Sequence, residues 1–243
     1  MILFIKLLLA HLLGDFLLQP DSWVSQKIDK KHNSIFLYIH SILHGLLAWI
    51  FVFEKQFWLF AIVITISHGL IDLMKLHFQT ERTKRNWFVF DQILHLSVLA
   101  IVVLWYQKTT LFFLPDFKNN LWIIGTSVIF LTKPTSILIK NIISIWTPDE
   151  SNKADHSLQN AGNYIGILER LFIFCFILIG HFEAIGFLLG AKSIFRFGDL
   201  RMARDRKLTE YVLIGTLISF GIAIGIGLSA QFLIQNFSVY FLD

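Results

Sequence analysis

The sequence predicts an all-α, polytopic integral membrane protein of about eight transmembrane helices. Of its 243 residues, 55% are hydrophobic and 16% are charged, whereas an average soluble domain is about 25% charged. The apolar residues occur in long runs, and a run of about 20 residues spans a hydrocarbon core about 30 Å thick. The runs therefore indicate membrane helices joined by loops.

Each predicted helix lies on one of these runs. The longest runs are residues 1–18, 35–53, 57–76, 87–106 and 211–234. Further helices are predicted at 121–146, 164–180 and 182–197, and the last helix is predicted to begin at 208. Pro134 is expected to kink the fifth helix because proline removes a helix hydrogen bond. Segment 182–197 is short for a span and could be re-entrant, which would leave about seven spans.

Two regions and one orientation follow from this pattern. We expect a four-helix membrane bundle over residues 1–108 and a C-terminal helical region over 119–243. Basic residues concentrate in the loops after the first and third helices and before the last helix, and lysine and arginine mark cytoplasmic loops. Both termini are therefore expected to be extracytoplasmic. The loop residues that support this orientation include Lys27, Lys30, Lys31, Arg82, Lys84, Arg85, Arg196, Arg201, Arg204, Arg206 and Lys207.

Four successive apolar segments each carry a pair of metal-capable side chains four positions apart. Residues at i and i+4 lie on the same helix face, so each pair projects to one side. Because successive helices alternate in direction, all the pairs are expected in the same, cytoplasmic half of the membrane. The pairs are His11/Asp15, His40/His44, His68/Asp72 and Asp91/His95.

The five histidines and three aspartates of these pairs predict a divalent metal centre. Imidazole suits zinc or iron, and carboxylate adds manganese; four-helix bundles hold metals through inward side chains at such spacings. All eight residues are expected to be ligands or hydrogen-bond partners of ligands. A cation would offset the cost of burying several aspartates in a membrane. Without metal, the same groups could form a proton relay or simply pair the helices.

Other charged residues could contact a substrate. Lys75 lies three residues after Asp72 on the same helix face, so it could neutralise Asp72 without metal, bind substrate, or extend to the membrane interface. Arg170, Lys192 and Arg196 could hold an anionic group, because arginine binds phosphate bidentately.

Alternatives remain for the second half of the chain. The same cations could belong to an internal ion-pair network with Glu169 or Glu210. Gly221 and Gly225 form a step that permits close helix packing, either within the chain or in a homodimer. The basic residues lack the clustering on one soluble face that nucleic-acid binding requires, so no nucleic-acid partner is expected.

The polar motifs resemble those of a known family. The strings AHLLGDFLLQ, HSILHG, SHGLIDLMK and FDQILH, within residues 5–100, resemble a bacterial multi-pass membrane family of unassigned function. More loosely, they are similar to membrane-bound metal-dependent hydrolases, which share His/Asp pairs on consecutive helices. The matching positions are the eight histidines and aspartates named above. This resemblance implies a hydrolase.

The sequence therefore predicts a metal-dependent hydrolase in the bacterial cytoplasmic (inner) membrane, acting on a lipid-linked or amphipathic phosphate or ester. The metal would act as a Lewis acid on a bound water, and Asp72 or Asp91 would be the general base. The alternatives are a cation or proton transporter or channel, and a non-catalytic membrane scaffold. A transporter requires polar residues across the far half of the bundle, where Glu54, Thr65 and Ser67 are the best candidates.

Overall fold

The computed structural model describes residues 1–109, 119–146, 156–196 and 203–239, and this part of the chain is all-α with ten α-helices. The chain divides into two compact units, Met1–Thr126 and Ser127–Asp243. The boundaries expected from the sequence, a bundle over 1–108 and a C-terminal region over 119–243, stay predictions.

The apolar helices indicate a membrane protein, with fewer spans than the sequence predicts. Five helices of the described residues are long and apolar enough to cross a membrane, and the number rises to seven if each of two bent helix pairs counts as one span. Phe182–Arg196 has only 15 residues and is not among them, which lowers the count from the predicted eight. The five helices are Ile35–Val52, Lys55–Phe78, Lys84–Lys108, Ala161–Leu178 and Glu210–Asn236.

In the first unit, four helices form a closed ring. Helix α1 contacts α3, α3 contacts α4, α4 contacts α5, and α5 returns to α1. A shorter helix, α2, packs beside α3, and α6 begins in this unit. Their bounds are α1 Ile2–Leu12, α2 Asp21–Lys30, α3 Ile35–Val52, α4 Trp58–Phe78, α5 Lys84–Thr109 and α6 Asn119–Leu131.

One end of the ring is filled by apolar side chains. The cluster is built from α1, the first part of α4 and the last parts of α3 and α5, which lie together because neighbouring helices run in opposite directions. Phe57, in the turn just before α4, is fully buried. Its members are Leu7, Ala10, Ala48, Val52, Phe57, Ala61, Ile64, Leu99, Val102, Val103 and Tyr106. The polar residues of the same helices therefore meet at the opposite end.

The first helix breaks where it reaches that polar end. After α1 the chain forms a π-helical segment, Leu13–Leu17, and such segments are frequent at functional sites. Pro20 precedes α2, and the helical stretch Asp21–Asn33 is bent by 82° from Ile2–Leu17. Trp23 of α2 stacks on Phe36 of α3 with 5.0 Å between ring centroids. The bend therefore lays α2 against the polar end of the ring.

The second unit contains the long helices α8 and α10, which pack against each other, with α7 and α9 beside them. As Pro134 predicts, the helix ending at Leu131 is bent, here by 41°. The closest approach of α8 and α10 is at Gly227, where an added Cβ would lie 2.6 Å from Cδ1 of Ile177. No atom would lie within 4 Å of a Cβ at Gly221 or Gly225. The bounds are α7 Lys133–Ile143, α8 His156–Leu178, α9 Phe182–Arg196 and α10 Ala203–Val239.

Candidate functional site

The structure brings together all four His/Asp pairs at the polar end of the ring. Their ligand atoms form three overlapping groups, and within each group no two atoms are more than 4.8 Å apart. Seven of the eight residues are buried, and the side chain of Asp15 is 11% exposed. The groups are His11/Asp15/His44/His68, His40/His68/Asp72 and Asp72/Asp91/His95. The convergence expected from i, i+4 spacing is therefore present.

Asp15, in the π-helical segment, is the centre of the first group. Four imidazole Nε2 atoms surround its carboxylate, and Nε2 of Gln92 donates to Oδ2 at 3.0 Å. Gln92 also accepts from Nε2 of His11 through Oε1 at 3.2 Å. The imidazole Nε2 atoms lie 3.1 Å (His40), 3.0 Å (His44) and 3.5 Å (His68) from Oδ1, and 3.6 Å (His11) from Oδ2.

Two lysines neutralise the other two aspartates. Nζ of Lys27 donates to Oδ2 of Asp72 at 2.6 Å, and Nζ of Lys75 donates to Oδ2 of Asp91 at 2.8 Å. Lys75 therefore contacts Asp91 and not Asp72, the partner considered from the sequence. Lys27, counted there among exposed loop cations, is only 6% exposed because the bend at Pro20 turns α2 toward the ring.

Several buried ligand atoms have no hydrogen-bond partner among the described residues. They include Nε2 of His44, Nε2 of His95 and Oδ1 of Asp91. Nε2 of His44 is 3.0 Å from Asp15, but the angles do not suit a hydrogen bond. An unsatisfied buried polar group costs about 1–3 kcal/mol. A bound cation would use these lone pairs, so the donor set fits a divalent metal of the zinc, manganese or iron type.

The imidazoles are stacked around a small cavity. Ring centroids are 3.6 Å apart for His44 and His68, and 4.0 Å apart for His68 and His95. The cavity between them has a volume of about 10 Å³, which is close to the minimum for one water molecule. Its lining residues are His11, His44, His68, His95, Ser67, Ile64, Val98 and Leu99. The space therefore suits one water molecule or one ion.

Glycines next to the site residues allow this close packing. A Cβ at Gly14 would lie 2.5 Å from Cε1 and Nε2 of His44. A Cβ at Gly45 would lie 2.7 Å from the backbone oxygen of Ala61, and one at Gly69 would lie 2.8 Å from Oγ of Ser41. The helices can approach within bonding distance of one another's imidazoles only because these positions lack side chains.

In the second unit, the predicted anion-binding residues have partners of their own. The guanidinium of Arg170 donates to the backbone oxygens of Leu131 and Thr132 at 2.6 and 3.3 Å. It also donates to Oγ of Ser136 at 2.7 Å and of Ser219 at 3.1 Å. Arg170 thus supplies a donor to the Leu131 carbonyl at the helix break, whereas the Thr132 carbonyl also accepts from the backbone N–H of Ser136.

The ion-pair alternative fits Lys192. Its Nζ donates to Oε2 of Glu169 at 2.6 Å, so its charge is balanced within the second unit. The side chain of Arg196 lies outside the described residues. Binding of an anionic group by Arg170, Lys192 and Arg196 stays a prediction.

Sequence reasoning missed Lys27, Gln92 and three glycines as site residues. For the glycines a signal existed, because Gly14, Gly45 and Gly69 each adjoin a residue of a His/Asp pair. Gln92 adjoins Asp91, but neighbours in a helix point to different sides, so the spacing alone gave no reason to include it. Nothing in the sequence distinguishes Lys27 from the other lysines of its segment.

Comparison with known proteins identifies a family but no activity. No curated protein and no solved structure matches the chain. Residues 3–124 match the family described as "Protein of unknown function (DUF3307)". The match covers half of the 243 residues and includes every member of the four His/Asp pairs. The chain belongs to this family.

Proposed function

We propose that the polar end of the first unit binds divalent metal, and that the protein is a membrane-embedded metal-dependent hydrolase acting on an amphipathic or lipid-linked phosphate or ester. The observation that carries the proposal is the unpartnered, buried Nε2 of His44 in a group of four residues whose ligand atoms all lie within 4.8 Å of one another, His11, Asp15, His44 and His68. Polar atoms without partners are rare inside proteins. Inside a membrane they are rarer still, because no water replaces the missing bond.

The ligand set supports metal binding more than a simple helix-pairing role. Interhelical hydrogen bonds would satisfy one donor and one acceptor at a time, whereas here four imidazole nitrogens converge on the Asp15 carboxylate. The histidines are neutral ligands, so Asp15 supplies the one negative charge of that group. Gln92 holds Asp15 and His11 in place through its amide, the role that hydrogen-bond partners of ligands play in metal proteins.

The cavity supports hydrolysis. It lies against four imidazoles and has room for about one water molecule. When bound, the metal would polarise that water and lower its pKa. Asp72 and Asp91, whose Oδ1 atoms are both within 4 Å of Nε2 of His95, would be the general bases that accept the water's proton. A substrate would enter beside Lys75, which is 25% exposed, against 1–11% for the other ionisable side chains of the site.

The far end of the ring argues against the transporter alternative. The apolar cluster of Ile64, Leu99, Val102 and their neighbours fills the ring beyond the cavity. Thr65 and Ser67 donate to backbone oxygens of their own helix, and Glu54 accepts from Tyr106 beyond the cluster. These three residues therefore do not form a polar path, which makes an enzyme open on one side the better proposal.

The proposal includes a setting. The protein would lie in a bacterial cytoplasmic membrane with the metal centre toward the cytoplasm, because lysine and arginine mark cytoplasmic loops and Lys27, Lys30 and Lys31 follow the first helix. Both termini would be extracytoplasmic if only one of the two bent helix pairs spans the membrane, which makes the number of spans even. A lipid-linked substrate could then reach Lys75 from the inner leaflet. In the second unit, Arg170 and Lys192 would hold an anionic group only after leaving the partners described above.

Elemental analysis tests the metal centre. Detergent-purified wild type is expected to hold metal that His68→Ala loses. His77→Ala is the matched control, because His77 lies on the same helix and is exposed. Metal absent from wild type, or equally present in His68→Ala, would overturn the proposal.

Activity is tested in lipid vesicles that contain a polyprenyl diphosphate. Release of inorganic phosphate by wild type, and not by His68→Ala, would support the hydrolase. Uptake of protons or zinc, read by dyes trapped in the vesicles, would favour the transporter instead.

A further inference from the structure

We propose that the site takes one divalent ion, at His11, Asp15, His44 and His68, and that the ammonium groups of Lys27 and Lys75 stand in for a second. This inference rests on the proposed metal-binding function and specifies its stoichiometry. The three groups of ligand atoms overlap, so their geometry alone would suit a dinuclear centre. The ion pairs of Lys27 with Asp72 and of Lys75 with Asp91 favour one bound ion over two.

The two ends of the site differ in what contacts their carboxylates. Among the described residues, the ionisable side chains beside the Asp15 carboxylate are imidazoles. A neutral imidazole has a nitrogen lone pair that can bind a metal. Asp72 and Asp91 each hold a lysine, at 2.6 and 2.8 Å. Each ammonium takes one oxygen, Oδ2, of its carboxylate and neutralises the negative charge that would attract a second ion.

Charge leads to the same result. Three carboxylates and two ammonium groups leave the site with one negative charge when the imidazoles are neutral, and one divalent ion changes this to one positive charge. A second ion beside undisplaced lysines would raise it to three positive charges in a low-dielectric interior, where such repulsion is strong. Two lysines together carry the charge of one divalent ion, so they replace it without changing the total.

Burial makes the lysines effective substitutes. Lys27 has a side chain only 7% exposed and is held on α2, and Asp72 opposite it is 9% exposed. Displacing Lys27 would leave a buried ammonium without a carboxylate or require α2 to move. The unpartnered Nε2 of His95 and Oδ1 of Asp91 face this second position, and they would become ligands only after the lysines leave.

Metal counting tests the inference. Protein stripped with chelator is reloaded with zinc, passed through a desalting column and analysed for zinc per chain. We expect one zinc in wild type and two in the double variant Lys27→Met/Lys75→Met. The control Lys30→Met/Lys84→Met removes two exposed lysines from the neighbouring segments and should keep one. Two zinc ions in wild type, or one in a folded Lys27→Met/Lys75→Met protein, would overturn the inference.

A spectroscopic measurement on wild type covers the case in which the double variant does not fold. Loaded with manganese, wild type should give the six-line electron paramagnetic resonance signal of an isolated ion. Ions about 3.5–4 Å apart, as in two-metal sites, would instead give an exchange-coupled spectrum and overturn the inference. Failure of the underlying metal-binding proposal is distinct, because wild type would then hold neither zinc nor manganese.

Discussion

Gly14 lies directly beneath the imidazole of His44: a Cβ at position 14 would be 2.5 Å from both Cε1 and Nε2 of that ring. The two residues belong to the first and third helices of the chain, and their contact sets the position of His44 above the carboxylate of Asp15. A methyl group at position 14 must push the ring away, because the His44 side chain is buried and stacked on His68.

Gly14→Ala is therefore expected to weaken zinc binding at least about tenfold, which corresponds to about 1.4 kcal/mol. Zinc titration with a competing chelator measures the change. Gly125→Ala is the control, since a Cβ there meets no atom within 4 Å, and it should bind as wild type does. Equal affinity in both variants would show that His44 is not held by this contact.

Asp15→Asn should remove most bound metal while leaving the fold intact. The amide keeps the size of the carboxylate but loses the negative charge around which four imidazole nitrogens gather. Zinc content per chain and circular dichroism measure the two effects. Asp21→Asn, at an exposed position of α2, should change neither. An Asp15→Asn protein with full zinc content would exclude Asp15 as a ligand.

Lys27→Met should destabilise the protein in the presence of chelator, because it leaves the buried Asp72 without its partner. Removing one partner of a buried ion pair costs about 3–5 kcal/mol, which is a fall of roughly 6–20 °C in melting temperature at this chain length. Thermal unfolding in detergent measures it.

The double variant Lys27→Met/Asp72→Asn removes both charges and should recover most of that loss. Lys30→Met, three positions along the same helix and exposed, should melt within a few degrees of wild type. If Lys27→Met also melted within a few degrees of wild type, the Lys27–Asp72 ion pair would contribute nothing to stability.

Arg170→Met should destabilise the second unit, because the backbone oxygen of Leu131 loses the donor that Arg170 supplies. Each buried acceptor left without a partner costs about 1–3 kcal/mol. Arg170→Lys should recover only part of the loss, since one ammonium cannot reach all four oxygens. Melting temperatures of these variants beside Lys140→Met, which removes an exposed cation, provide the comparison.

Metal affinity should fall at acid pH, and removal of the metal by chelator should lower the stability of the protein. Protonation gives the Nε2 atoms of His11, His44 and His68 a hydrogen in place of the lone pair that binds metal, so affinity falls as pH falls. Wild type loaded with zinc at 100 times its dissociation constant should gain about 2.7 kcal/mol of stability. Chelator should abolish this gain in wild type and have no effect on His68→Ala. A zinc affinity independent of pH between neutral and acid conditions would exclude imidazole ligands.

The pattern of the sequence was enough to predict that the four His/Asp pairs lie together. Pairs such as His68 and Asp72 share a helix face whatever the tertiary structure, and alternating helix direction then places all pairs at one depth. The position of Lys27 depends on an 82° bend, which no periodicity encodes. Pro134 in the sequence predicted the helix break at that position. The hydrogen bond from Arg170 to the backbone oxygen of Leu131, however, joins residues 39 positions apart, so the local sequence could not predict it.

The number of membrane spans was overestimated for a different reason. The eight predicted spans include segment 182–197 because of its apolar composition, although it is short for a span. Segment 182–197 has the composition of a span, yet the helix Phe182–Arg196 is 15 residues long. A helix of that length rises about 22 Å, less than the hydrocarbon thickness of about 30 Å.

The π-helical segment Leu13–Leu17 also makes the site sensitive to chain length. Such a segment contains one residue more than the α-helical path between the same two points, so it corresponds to a single-residue insertion. Deleting Leu13 would let a regular α-helix join those two points, so the chain after the segment would keep its direction and the bulge that carries Asp15 would be lost. The Asp15 carboxylate would then shift from its place among the four imidazole nitrogens, so the proposed metal centre depends on a single extra residue.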